Sequence, residues 1–471
     1  MMSGLQRDLH TISDMMQTTK EANIMKQNYL KKLLIIAVPL MLSDAISQLQ
    51  MIIDRIFLGR MDDLYMSALG NVTSPMWTTM SCCYSLAMGA SILISQNVGA
   101  DNRKKVETYA SSLIKWNSLL PILLFLFWTF FARQLFEIMG VSENVMPYCL
   151  TYTRYYTPVF LILGLECAFT NILQTSNYTK PMVYFGIIRA GTNILLDWIL
   201  IFGHFGFPRL GIKGAAIATT IAEYIGFLFT LAVVLKTQHL DTMPPFRSIL
   251  SAPFRPFFES VKLGTNAALE DFGWNFGNLV LIRILNTIDE KAAGIYAIVF
   301  SVEVLVVVMI GAIGRGTMTL SGEAKGSGDL KQYKSICKIA YLLSAGIAVV
   351  TLIVCALFPQ QILGMFTKDT AIITGCGIYL LLVCLNLFGK SGNIIIGNSI
   401  RGSGNTIWML GTQLFGTVLV IAVAAFLVYG IHLGIIGVFI SVIVDEGTRA
   451  LINLWKLRRI MRDWNKLPQT A

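Results

Sequence analysis

Charge is what this chain is short of. Asp, Glu, Lys and Arg make up 14% of its 471 residues, while 55% are hydrophobic. A soluble globular chain carries about 25% charged residues. A chain of this length with so little charge cannot cover its own surface with polar groups. A soluble enzyme, a nucleic-acid-binding module and a disordered scaffold are thereby excluded. Histidine is scarce too: His10, His204, His239 and His432 all fall in tails or loops. Neither an H-E-x-x-H nor a G-x-S-x-G run occurs, so an intramembrane enzyme lacks its metal or its nucleophile and base. The eight cysteines (Cys82, Cys83, Cys149, Cys167, Cys337, Cys355, Cys376, Cys384) lie in apolar stretches and form no C-x-x-C pair. That pattern indicates neither a disulfide framework nor a zinc site. No cofactor is expected.

What is present is a succession of long apolar runs. A bilayer core of about 30 Å needs about 20 mostly apolar residues in a helix. That ruler predicts twelve spans, near 31–58, 66–95, 107–131, 145–173, 180–203, 211–236, 256–285, 292–320, 334–358, 371–400, 405–429 and 433–457. The predicted class is an all-α integral membrane protein, with the lipid bilayer as its first partner. The first thirty residues are polar, lack the layout of a cleavable signal peptide, and read as a tail. A basic tail, 458–471, closes the chain. The net charge of +10 fits cytosolic loops facing anionic lipid rather than nucleic acid. Arg7, Lys20, Lys26, Lys31, Lys32, Arg103, Lys104, Lys105, Lys180, Lys236, Arg247, Arg255, Lys325, Lys331, Lys334 and the C-terminal cluster gather on one side. The other side has fewer cations, among them Arg60, Arg133, Arg209 and Lys291. Both termini are therefore expected in the cytosol, with the protein in the inner (plasma) membrane.

The chain is also written twice. Gly211-Ile212-Lys213-Gly214, followed by Glu223, recurs as Gly434-Ile435-Ile436-Gly437, followed by Glu446. Asn171 to Asn177 recurs from Asn398, Gly89 and Gly99 recur at the same spacing as Gly316 and Gly326, and Arg55 meets Arg283 one residue off. Six helices separate the copies, so both halves enter from the same side and relate by an axis along the membrane normal. The expected domains are an N-lobe at 31–237, a Pro-rich linker at 238–255 and a C-lobe at 256–457. Two such bundles can rock about a shared cleft, which is the architecture of a transporter.

Polar residues inside spans need a reason, because a central ionised carboxylate costs about 2.5–3.5 kcal/mol on insertion scales. Asp54 lies toward the end of the first span; a surface pair with Arg55 is the plain alternative. Asn193 and Asp197 stand four apart, on one face of the fifth helix. Thr219, Thr220 and Tyr152 add oxygens from the same half. Such a set suits sodium, or a proton held between carboxyls. The second half has Val420 and Ala424 where the first has Asn193 and Asp197. It carries its own set instead: Glu270, Asp271, Glu303 and Lys390. These read as ion pairs, with Lys390 neutralising an acid, or as substrate contacts. Glu223 and Glu446 repeat and read as architectural; Glu166 has no assignment.

Taken together, these residues resemble the multidrug and toxic compound extrusion (MATE) transporters over roughly 30–460. The resemblance rests on the twelve-helix repeat, Ile53-Asp54, Asn193-x-x-x-Asp197, Gly-Ala-Ala-Ile-Ala-Thr at 214–219, and the Arg401-Gly-Ser-Gly-Asn405-Thr406 turn. It implies that Asp54, Asn193, Asp197 and Thr219 form an amino-lobe cation site, with Tyr152 in its hydrogen-bond network and Pro39 bending the first helix. It further implies an antiporter exporting bulky, often cationic organic compounds against sodium or proton entry, expected as a monomer. Two positions depart from the pattern. Lys390 stands where another branch has a functional acid, and Gly264-Thr265-Asn266 lacks the usual proline. The alternatives are a major-facilitator-type transporter and a lipid-linked oligosaccharide flippase of the same superfamily. Gly99-Ala-Asp101-Asn-Arg103-Lys104-Lys105 lacks the second glycine of the former's loop, and the first half lacks the several arginines of the latter's cleft.

Overall fold

The computed structural model describes residues 2–237, 240–289, 292–366 and 369–464, with the side chains of 2–26 and 371 set aside. The expectations resting on His10, the tail cations Arg7, Lys20 and Lys26, His239, Lys291 and residues 465–471 lie outside the described residues or side chains.

Twelve membrane-spanning helices form two six-helix lobes. The N-lobe has α1 (Met2–Gly59), α2 (Asp63–Gly99), α3 (Arg103–Ile138), α4 (Met146–Thr175), α5 (Lys180–Phe202) and α6 (Ile212–Lys236). The C-lobe has α7 (Phe254–Asn286), α8 (Ala292–Gly326), α9 (Leu330–Leu357), α10 (Gly377–Gly402), α11 (Thr406–Gly430) and α12 (Gly434–Arg462). Ten of these are apolar enough to span on composition alone, counted over the described residues. The other two, α7 and α12, carry the acids and arginines discussed below. The expected tail is helical from Met2 onward and continuous with α1. No glycine or proline between Leu5 and Val38 interrupts it, and those are the residues that end helices.

Local chemistry sets the boundaries. Asp62, Asn102 and Asp329 accept from the backbone N–H of Leu64, Lys105 and Gln332 at 2.9, 3.1 and 2.9 Å, capping α2, α3 and α9. Gly211 and Gly434, matched by the repeat, both take positive φ, 55° and 57°, at the entries of α6 and α12. A residue with a Cβ is strained there, which is why this glycine is written twice. The linker is built rather than loose. It forms a short helix, Phe246–Leu250, tied to α3 where Lys115 donates to Leu250 O at 2.7 Å and Ser112 to Pro253 O at 3.0 Å.

The repeated glycines are where the lobes cross. A Cβ on Gly99 would stand 1.9 Å from Glu323 O, and one on Gly326 only 1.8 Å from Gln96 O. Gly89 meets Ser260 O of α7 at 2.0 Å in the same sense. Helices α2, α7 and α8 therefore touch backbone to backbone at the linker end. Gln96 donates to Gly402 O at 2.8 Å, Gln174 to Thr319 at 2.9 Å and Asn177 to Glu323 at 3.0 Å across the same seam.

Helices α1 and α5 run parallel in a fixed register. Thr179 meets Ile35, Gly186 meets Ser43, and Arg189 meets Ser47. Pro39 sits inside α1 without breaking it. Lacking an N–H, it leaves the carbonyl four residues back, Ile35 O, without its helical donor. The buried Thr179 hydroxyl supplies one at 2.7 Å. Thr179→Val should orphan that carbonyl and cost about 1–3 kcal/mol, read as a lower thermal-unfolding midpoint in detergent. In a Pro39→Ala background, where Ile35 O regains a helical donor, the same substitution should cost little. Equal losses in both backgrounds would refute the pairing.

Candidate functional site

Two polar stripes face each other between α1 and α5. On α5, Arg189, Asn193 and Asp197 follow one another at four-residue steps, hence along one face. On α1, Asp44, Ser47, Gln50 and Asp54 do the same at steps of three and four. The parallel register brings the Asp54 and Asp197 carboxyls within hydrogen-bonding reach of each other. Asn193 and Asp197 are 0% and 1% exposed. The expected set therefore converges.

Its polarity is one-sided. Asn193 donates its amide N–H to Thr219 Oγ1 at 3.2 Å, while the Thr219 hydroxyl donates to Ala215 O at 2.9 Å. That pins the amide so that its oxygen is the free end. Tyr152 is buried on α4, within reach of Thr219, and stacks on Tyr156 with ring centroids 5.7 Å apart. Asp54 Oδ1, both Asp197 carboxyl oxygens and Asn193 Oδ1 are buried and receive no donor. Four acceptors gathered without a donor are costly in a low-dielectric interior. One positive charge among them removes both the repulsion and the deficit. Carboxylate and amide oxygens suit a hard cation or a proton, and not a soft transition metal. Among the described residues, no three His, Cys, Asp or Glu side chains come together as metal ligands.

Two expectations change and one residue is added. Asp54 makes no pair with Arg55, which points outward and is exposed. Thr220 leaves the site altogether, its hydroxyl donating to Tyr155 O at 2.7 Å. Arg189 joins the network unforeseen: it meets Glu223 at 3.1 Å, bonds Ser47, and lies near Asp54 and Glu166. Its step of four from Asn193 was the available signal. Glu223, read as architectural from the repeat, is its buried counter-ion, and Glu166 belongs to the same cluster.

The C-lobe set sorts differently. Lys390 donates to Glu303 at 2.8 Å, and Asn386 donates to the same oxygen at 2.9 Å. Lys390 also stands 3.9 Å from Glu446, which Arg449 meets at 3.1 Å and Asn393 at 2.9 Å. Arg449 clamps Asp445 as well, at 2.8 Å. Glu270 and Asp271, expected as alternative partners of Lys390, are not. Glu270 pairs with Arg401, and Asp271 accepts from Ser85 of the N-lobe at 2.8 Å. Adjacent helix positions point about 100° apart, so these two neighbours serve different partners. Trp274, Tyr296 and Phe300 line a small cleft together with Glu303 and Lys390.

Comparison with known proteins agrees with the two-lobed fold. The MatE family model matches residues 39–199 and 267–426, once on each lobe. An uncharacterized transporter of Bacillus subtilis, YisQ, is 26% identical over 413 residues, covering 86% of this chain and 89% of that protein. A probable multidrug resistance protein, NorM, of Thermotoga maritima is 26% identical over 448 residues, covering 92% and 94%. The fold is similar to that of a multidrug resistance MATE family transporter in an outward-facing conformation. The TM-score is 0.84, with 19% identity over 93% of this chain and 97% of that one.

The buried Lys390–Glu303 pair yields a stability prediction. Lys390→Met leaves the Glu303 carboxyl with one amide for company, and removing one member of a buried pair costs about 3–5 kcal/mol. The variant should unfold at lower temperature, and Lys390→Met/Glu303→Gln should recover most of the loss. A Lys390→Met protein as stable as wild type would show that the pair is not structural.

Proposed function

This chain belongs to the MatE family of transporters, and from that premise we propose that it is a cation-driven antiporter exporting bulky, cationic organic compounds by alternating access. The observation that carries the reading is the group of four donorless buried oxygens on Asp54, Asn193 and Asp197. A cation there stabilises one state of the N-lobe and substrate the other; each shifts the equilibrium only by its differential affinity. Inward movement of one charge releases about 2.3 kcal/mol per 100 mV. A tenfold gradient of uncharged drug costs about 1.4 kcal/mol. One coupling ion is enough for an uncharged drug; a one-for-one exchange with a monovalent cationic drug moves no net charge, so there the ion's own concentration gradient, about tenfold or more, does the work.

Substrate charge follows from the arginines. Arg189, Arg315, Arg401 and Arg449 are each paired with a carboxylate, Glu223, Asp44, Glu270 and Asp445. None of the four is left to meet a pyrophosphate, which favours a drug antiporter over a lipid-linked sugar flippase. In this reading the linker end faces the cytosol of the inner membrane, supported by its Lys/Arg bias. The chain works alone, with no cofactor beyond its coupling ion.

Asp197→Asn removes a charge and nearly keeps shape, so coupled export should be abolished in vesicles while the protein still folds. Export of a fluorescent cation at the wild-type rate would sink the site. The ion itself is decided in proteoliposomes with the proton gradient clamped to zero and sodium high outside. Several fixed oxygens favour sodium, and efflux under that gradient is expected. Efflux driven by a pH gradient alone would make the two aspartates a proton-sharing pair instead.

A further inference from the structure

The α1 stripe does not stop at the candidate cation site. Ten residues before Asp54, about 15 Å down the helix axis, stands Asp44, joined to Arg315 of α8. That ion pair bridges the two lobes. Its side chains keep 33% and 39% of their exposure, whereas the Lys390–Glu303 pair keeps 10% and 4%. Below it come the Gln174–Thr319 and Asn177–Glu323 bonds and the Gly99/Gly326 crossing. Where α1 and α4 meet α8, Arg315 is therefore the top polar layer of the seam, and Asp44 lies between it and the site; the Ser85–Asp271 bond joins α2 and α7 elsewhere.

Polar groups fill the interval. Gln50 Oε1 is buried without a donor. Ser47 receives Arg189, whose charge is held by Glu223, with Glu166 close by. Counted together, Asp44, Asp54, Asp197, Glu166 and Glu223 face two cations, Arg189 and Arg315. The formal excess of acids, five to two, favours a positive charge moving along the column. Arg189 is fixed within its own lobe. Arg315 belongs to the other lobe, and it is the one cation of the column that lobe rocking carries away.

Resting on the antiport reading above, we propose that Arg315 is a tethered stand-in for the coupling cation: it occupies Asp44 while the linker end is sealed, and the cation descending from Asp54 and Asp197 takes its place on Asp44 as the lobes part. Asp44 is thus a second station for the ion, and Arg315 a positioning residue that times its release. The exchange keeps Asp44 neutralised in both states. A cation that has not arrived leaves Asp44 bare when the lobes separate, which disfavours opening without an ion.

The alternative is a simple latch, and charge placement separates the two. Asp44→Arg/Arg315→Asp keeps an ion pair but moves the carboxylate to the wrong lobe. Asp44→Asn/Arg315→Gln keeps a hydrogen-bonding pair without charge. Both go into proteoliposomes with inward sodium and proton gradients imposed together, so that the identity of the ion does not matter. The proposal expects wild-type thermal stability but export of a fluorescent cation lowered by about tenfold or more. Export at the wild-type rate by either folded pair makes the contact a latch only and overturns the proposal. If the swapped pair misfolds, the neutral pair decides alone. Asp197→Asn, measured alongside, keeps the two readings apart. Its failure with a fully active swapped pair sinks only the Asp44 station. Its full activity with an inactive swapped pair sinks the upper site and, with it, the descent from Asp54 and Asp197 to Asp44.

Discussion

A charge inside this bundle has no water to fall back on, so protein must supply its partner, and much of the architecture follows from that constraint. The C-lobe meets it internally: Lys390 and Arg449 answer Glu303, Asp445 and Glu446, with Asn386 and Asn393 filling remaining lone pairs. The N-lobe meets it for Glu223 through Arg189. At Asp54 and Asp197 it does not, since the carboxyls face each other and the amide oxygen of Asn193 adds another acceptor. A deficit of one positive charge, fixed in place by helix packing, is what an ion-coupled transporter requires.

The same scaffold thus carries two solutions to one problem. Gene-level repetition gave both lobes six helices, a positive-φ glycine before the last helix, and a Glu on that helix. Divergence then placed Asn193 and Asp197 in one lobe where the other has Val420 and Ala424. Lys390 is the counterpart of an ion built into the chain. A site that holds its own ammonium has no vacancy for a coupling cation, and on the antiport reading proposed above ion traffic runs through the N-lobe.

Motion and sealing also rest on small things. Where Gly99 and Gly326 bring two helix backbones together, no side chain intervenes to soften the contact. Such a seam is either closed or parted. The polar bonds laid over it are each weak singly, and the Asp44–Arg315 pair is the most exposed layer. In the alternating-access reading proposed above, that combination suits a gate which must hold firmly and still release.

Much of this was legible in the chain itself. Scarce charge and twenty-residue apolar runs dictate membrane helices, because nothing else satisfies backbone hydrogen bonds in hydrocarbon. The repeat gives six plus six, and the four-residue step from Asn193 to Asp197 puts both on one face. The step from Arg189 was equally legible and passed over. Tertiary structure alone decided which acids meet which bases. Glu270 and Asp271 are neighbours in the chain yet serve Arg401 and Ser85, on different helices. Thr219 joins the site while Thr220 turns away, and Thr179 rescues a carbonyl that Pro39 abandons far along the sequence. Spacing along a helix fixes the direction of a side chain relative to its own axis. Which neighbour lies in that direction is set by the packing and register of other helices, and no local pattern encodes those.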